Sequence, residues 1–240
     1  MNPFLTAEWR RLLIANFIVD HTVLVPYLPG GTQLDQWQGR CYVSVVGFMF
    51  LDTRVRGMAI PFHRDFEEAN LRFYVKRIEP STGETRRGVV FIRELVPKRA
   101  LTFVANTLYG EYYATVPIRH EWNEEGDRLN VSYGWRLGGK WNDVRCTASS
   151  ANSPMAEGSE AEFITEHYWG YTRLQDGRTG EYQVKHPRWN THTVRDHELA
   201  VDFRACYGDR FAHLDGIAPA SVMLAEGSAV QVMPRTFLSA

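Results

Sequence analysis

The strongest pattern along the chain is the alternation in "FEEANLRFYVKRI", residues 66–78. Side chains of a strand point alternately to opposite faces, so Ala69, Leu71, Phe73 and Val75 share one face and Glu68, Asn70, Arg72 and Tyr74 the other. The first set belongs to a core. The second is either a solvated sheet face or a polar row lining a closed pocket, and the pattern leaves both open. Upstream, "GRCYVSVVGFMFLD" reads as a buried strand. "LNVSYGWRL" and "KWNDVRCTA" flank Gly138-Gly139, a connection that suits the primed turns of a β-hairpin. "EPSTGETRRG" is a polar loop between strand 66–78 and the apolar "VVFIREL", so those two strands are expected to pair.

The best helix candidate is "VDHTVLVPYLPGG", with Asp20 as N-cap, Pro29-Gly30-Gly31 as the stop and Pro26 as an internal obstacle. "SSANSPMAEGSEAE" reads as a linker or a long surface loop. Short strand-like runs divided by turn signals predict a mostly β, β-dominated α+β chain with few short helices, and leave one domain or two open.

Composition narrows the function classes. The chain has 240 residues, 44% hydrophobic and 13% aromatic, with a net charge of −1. That balance gives no field for recruiting nucleic acid or an anionic membrane surface. Cys41, Cys146 and Cys206 form no C-x-x-C pair, so neither a disulfide scaffold nor a zinc site is expected, and reduced thiols in a cytoplasm are the simpler setting. Glu8, Arg10 and Arg11 interrupt what would be the apolar core of an export signal. The longest uncharged apolar run, residues 43–51, is about half of what a spanning helix needs.

Several possible motifs carry little. "PGGTQLD" and "LGGKW" lack the spacing of a phosphate-binding loop, and "EGS" occurs without a nucleophile elbow. His186, His192 and His197 gather around Trp189 at spacings that match no metal motif, so no metal or cofactor is expected. Tyr168, Trp169 and Tyr171 could stack on a planar ligand, although sheet packing explains them as well.

Phe66, Glu68, Asn70, Arg72, Tyr74 and Val75 spell F-x-E-x-N-x-R-x-Y-V, which resembles the pattern of the YqjF-like bacterial proteins, a domain of unknown function numbered 2071. "W-R-x-L-L" at residues 9–13, "LVPYLPGGTQLDQWQG", "GVVFIREL" and "YGEYYATVP" extend the resemblance over at least the first half of the chain. Through that family the chain is distantly similar to acetoacetate decarboxylase, which implies a single domain over residues 1–240, a β-barrel with an interior pocket. It also implies a glutamate at Glu68 and, on a weaker match, an arginine at Arg10. The Schiff-base lysine and its neighbour, counted back from Pro117, fall on Tyr112 and Tyr113. A phenol cannot condense with a carbonyl, so the resemblance transfers a cavity and withdraws the decarboxylase reaction.

Glu68, Asn70 and Arg72 stand about 7 Å apart in sequence order on an extended strand, enough to bracket a small polar ligand with its carboxylate at Arg72. Two function classes follow. In one, an enzyme acts on a small carboxylate or carbonyl compound, with Glu68 and Tyr112 as catalytic residues and Arg10, Asn70, Arg72 and Tyr113 as ligand-binding residues. In the other, a non-catalytic binding or interaction module keeps only the barrel. Self-association is left open.

Overall fold

The computed structural model describes residues 2–100, 102 and 112–238. Its strands are β1 (Leu5–Val19), β2 (Gln33–Leu34), β3 (Cys41–Val55), β4 (Met58–Ala59), β5 (Phe66–Ile78), β6 (Thr85–Val96), β7 (Tyr113–Thr115), β8 (Ile118–Glu125), β9 (Arg128–Leu137), β10 (Lys140–Pro154), β11 (Trp169–Arg173), β12 (Thr179–Lys185), β13 (Asn190–Ala200), β14 (Ser221–Val232) and β15 (Thr236–Phe237). Its α-helices are short and include α1 (His21–Leu24), α2 (Glu160–Thr165) and α3 (Phe203–Tyr207). The chain is mostly β, as its pattern predicts.

Strands β14, β1, β3, β5, β6, β11 and β12 are neighbours in that order, and β12 pairs back onto β14 through Val184↔Val232 and Lys185↔Gln231. The sheet thus closes into a ring. Strands β13, β10, β9 and β8 continue from β14, and this second layer packs over the outside of β1, β3 and β5.

Each strand shared by ring and layer therefore serves two cores. Leu12, Val46, Phe48, Phe66 and Tyr74 pack inside the ring. Leu13, Val45, Leu71 and Phe73 pack outward against Val131, Tyr133 and Trp135 of β9. Fully burying such side chains stabilises the fold by about 1.5–3 kcal/mol each. Both faces of β5 are buried, which decides the question its alternation posed.

A β-bulge interrupts β1. The register against β3 shifts between Arg10 and Leu13, and Arg11 adopts a left-handed backbone with φ 54°. The Tyr133 hydroxyl donates to the Arg11 carbonyl oxygen at 2.9 Å. Opposite the bulge, Gly227 has φ 82°, and a Cβ there would lie 2.0 Å from the Trp9 carbonyl oxygen. Only glycine lets β14 come this close.

The local expectations compare well. The 66–78 and 41–55 strands, the β5–β6 pairing and the β9–β10 hairpin are all present, with Gly138 at φ 63° and Gly139 at φ 82°, as a primed turn requires. Asp20 caps α1, accepting from the Thr22 amide at 2.8 Å, and the helix gives way to a 3-10 turn at Pro26. The linker-like stretch differs. Residues 149–154 finish β10, and Ser159 caps α2 by accepting from the Glu162 amide at 3.2 Å while Phe163 and Ile164 are buried. A cap and two apolar anchors order a segment whose small residues suggest a linker.

Candidate functional site

The ring encloses a cavity of about 200 Å³, to which β5 contributes Phe66, Glu68, Asn70 and Arg72. The inward face of a strand delivers alternate residues, so the polar row of the sequence becomes one wall. Across the ladder, Asn70 lies opposite Glu94 of β6, and Glu94 lies opposite Tyr113 of β7, which brings the second glutamate and the phenol to the same wall. The Asn70 side-chain amide donates to Glu68 Oε1 at 3.0 Å, and the Tyr113 hydroxyl donates to Glu68 Oε2 at 3.1 Å. Glu68 is thus a buried carboxylate held by two donors.

Arg72 is different in kind. It is 8% exposed, its Nε has no hydrogen-bond partner, and among the described residues no carboxylate lies within ion-pair distance of it. The Tyr74 ring lies 5.8 Å from its guanidinium carbon. A buried charge of this kind is costly unless something compensates it.

Three imidazoles, His63, His167 and His186, share the lining. Burial pushes His167 from its usual 6.5 down to about 4; the Asp35 hydrogen bond opposes this, and the charges of Arg87 and Arg72 reinforce it. Burial likewise pushes His186 down to about 4, again reinforced by Arg72. Burial alone would raise the Asp35 carboxyl, but His167 and Arg87 outweigh it and hold that group below the usual carboxylate range. Arg87 Nε donates to Asp35 Oδ2 at 2.7 Å, and His167 Nε2 stands 3.2 Å from the same oxygen. A neutral imidazole beside an ionised carboxylate carries its proton on Nε2, which leaves Nδ1 as a lone pair, and that atom has no partner.

His167 and His186 set an acid limit on stability. A folded-state value below the unfolded one means that the unfolded chain binds more protons, so stability is full above about pH 6.5 and is lost as pH falls toward 4. The loss is about 3 kcal/mol for His167 and less for the partly exposed His186. Melting temperature should therefore fall steeply between pH 6.5 and 4.5, and His167→Asn should flatten the slope. A flat profile in the native protein would show that these rings are not buried neutral.

The structure brings Glu68, Asn70, Arg72 and Tyr113 to the cavity but not Arg10 or Tyr112. Tyr112 is 53% exposed, and its hydroxyl donates to the Arg173 carbonyl oxygen at 3.3 Å. Adjacent residues of an extended chain face opposite ways, so an inward Tyr113 makes Tyr112 outward. Arg10 pairs with Glu8 at 2.8 Å and Glu226 at 3.7 Å. The bulge at Arg11 is the cause: inside-facing β1 residues run Ala7, Trp9, Leu12, Ile14, so the extra residue turns Arg10 outward. Residues 109–111 of "YGEYYATVP" lie outside the described residues.

None of the four lysines lines the cavity, and Lys76 sits 3.7 Å from Asp35. Trp169 does line it and carries Arg86 over its ring at 4.4 Å, whereas Tyr171 is core. His192 is buried against Glu226 at 2.8 Å, and His197 is exposed. Among the described residues no group of three His, Cys, Asp or Glu side chains could hold a metal. Sequence reasoning missed Glu94, Asp35 and His167. Glu94 was reachable from the β5–β6 pairing, given the register; the other two come from loops that no periodicity locates.

The closed ring of strands around an interior cavity has the fold of acetoacetate decarboxylase-like proteins, and none of the four lysines lines that cavity. The chain belongs to the DUF2071 family of uncharacterized conserved proteins, whose model matches residues 6–229. It is 27% identical over 186 residues to the uncharacterized protein YqjF of Bacillus subtilis strain 168, covering 75% of this chain and 72% of that one. An acetoacetate decarboxylase-like enzyme from Sphingomonas wittichii RW1 superposes with a TM-score of 0.67 at 13% identity, over 100% of this chain and 95% of that one. The enduracididine biosynthesis enzyme MppR complexed with pyruvate superposes with a TM-score of 0.69 at 13% identity, over 100% of this chain and 92% of that one.

Proposed function

We propose that this chain binds a small carboxylate or carbonyl metabolite inside the strand ring and offers it a proton-exchanging group. The observation that carries the reading is Arg72, a buried guanidinium on the cavity wall with no carboxylate beside it among the described residues. A carboxylate from solution supplies the missing countercharge and matches the guanidinium fork. Glu68, held by Asn70 and Tyr113, exchanges the proton, and Tyr113 orients it. A neighbour of the same fold with pyruvate bound supports a ligand of this class. We place the protein in the cytoplasm as a single domain, a setting that suits its three free, buried thiols.

Schiff-base chemistry has no place in this reading, since no lysine reaches the wall. Incubation with pyruvate or acetoacetate should give a binding heat by calorimetry. Borohydride treatment of the same mixture should leave the protein mass unchanged. A reduced adduct mapped to Lys76, Lys98, Lys140 or Lys185 would sink the reading of a decarboxylase relative without decarboxylase chemistry.

A further inference from the structure

The cavity holds a charge at its deep end and is mostly apolar toward its mouth, where Thr53 and His63 are the polar lining residues among Leu5, Val55 and Ile60. Along β5 its wall runs from Phe66 past Glu68 and Asn70 to Arg72, about 20 Å at strand spacing. Beyond Arg72 the ring is stoppered: Tyr74 packs on Phe163 of α2, with ring centroids 5.5 Å apart, and on His167 at 4.8 Å. At the Phe66 end the lining passes to Leu5, Val55 and Ile60, which are partly or fully exposed, so the cavity meets solvent there. Between the two ends, away from the Glu68–Asn70 row, the lining is aromatic. Phe50 stacks on Phe66 at 4.7 Å, Trp9 meets Phe48 edge-on at 5.3 Å, and Trp189 stands 6.4 Å from Trp9.

We infer that the ligand is an amphipathic monocarboxylic acid, held carboxylate-inward by Arg72, with an apolar body of medium length lying along the aromatic wall. This rests on the proposal that Arg72 holds the anion. Volume and polarity select the class. A cavity of 200 Å³ takes more than about a dozen waters at ~10–15 Å³ each, so a three-carbon keto acid would fill less than about half of it. The unfilled part is the aromatic part. Water left there meets few donors or acceptors, and an apolar body that displaces it gains affinity with each methylene, about fourfold per group. A dicarboxylic acid of the same length is disfavoured, because its second charge would rest against Phe50 and Phe66.

The test is calorimetric titration of the full chain with acetate, butanoate, hexanoate, octanoate and decanoate below their micelle concentrations, alongside pyruvate and octanedioate. Kd should fall about fourfold per methylene until the body fills the cavity and then level off. Pyruvate and octanedioate should bind at least about tenfold more weakly than octanoate. Arg72→Gln should weaken binding at least about tenfold throughout the series. Val55→Trp, which fills the mouth side, should move the levelling point to shorter acids while butanoate binds as before. The native series decides by itself should that variant not fold. Pyruvate binding as tightly as octanoate, and weakened in Arg72→Gln, would overturn this inference and leave the anion-site proposal standing. No binding at any length, or octanoate affinity that Arg72→Gln leaves unchanged, would overturn both.

Discussion

Replacing Arg72 with methionine is expected to weaken carboxylate binding tenfold to hundredfold and, in the same variant, to raise the melting temperature of the unliganded protein. The two effects have one origin. Arg72 is buried, and no anion stands beside it among the described residues, so its desolvation is uncompensated until a ligand arrives. Methionine keeps much of the volume, has flexible torsions to refill the space, and removes the charge. Losing the charge-assisted hydrogen bonds to a carboxylate costs about 1.5–3 kcal/mol, a tenfold to hundredfold drop in affinity. Removing the buried charge should stabilise the empty protein by about 1–3 kcal/mol, a rise of a few degrees in melting temperature for a chain of this size. Calorimetry with a bound acid and thermal denaturation without one measure the two halves. A lower melting temperature would mean that the charge is already compensated in the empty protein and that Arg72 is a structural residue.

The second large effect concerns the ring itself. Gly227→Ala should destabilise the fold by more than about 3 kcal/mol, because the new methyl group meets the Trp9 carbonyl oxygen at 2.0 Å and the residue must also hold φ 82°. Neither the β1 backbone nor the β14 backbone can yield without breaking a ladder that runs from Leu5↔Val232 to Asn16↔Ser221. Gly126→Ala separates the two causes. Gly126 has φ 60° and nothing within 4 Å of the place a methyl group would take, so only the conformational strain of about 1 kcal/mol applies. Urea denaturation of both variants gives the comparison. Equal losses would refute the close approach of β14 to the bulge.

Local pattern carried more of this structure than long-range pattern did. Strand β5 was legible because period-two alternation survives any tertiary context, and the β9–β10 turn because two adjacent glycines accept the positive φ it demands. The direction of the polar row was not legible. Glu68, Asn70 and Arg72 look the same in sequence whether water or β11 and β12 stand opposite them, and closure of the ring depends on pairing between segments as distant as Val184 and Val232. Arg10 failed for a sharper reason. Its parity matches Leu12 and Ile14, and only the extra residue at Arg11 breaks that match. A bulge held by a distant tyrosine hydroxyl leaves no mark on the local alternation. The aromatic run near residue 169 divided in the same way, Trp169 going to the cavity and Tyr171 to the core, because the run supplies hydrophobicity to both faces and identifies neither.

Strand β5 has a packed core on each side, so the wall that carries Arg72 shares its backbone with the residues that hold the two layers together. Ordering that wall is then a cost met once, when the chain folds, and not again at each encounter with a ligand. The guanidinium waits in a fixed position at the bottom of a stoppered ring. Adaptation to different ligands is left to the mouth, where Ile60 and His63 line the cavity from the short connection between β4 and β5. Discrimination at the deep end is therefore geometric, set by where a carboxylate can sit, while tolerance for the rest of the molecule is set by a loop.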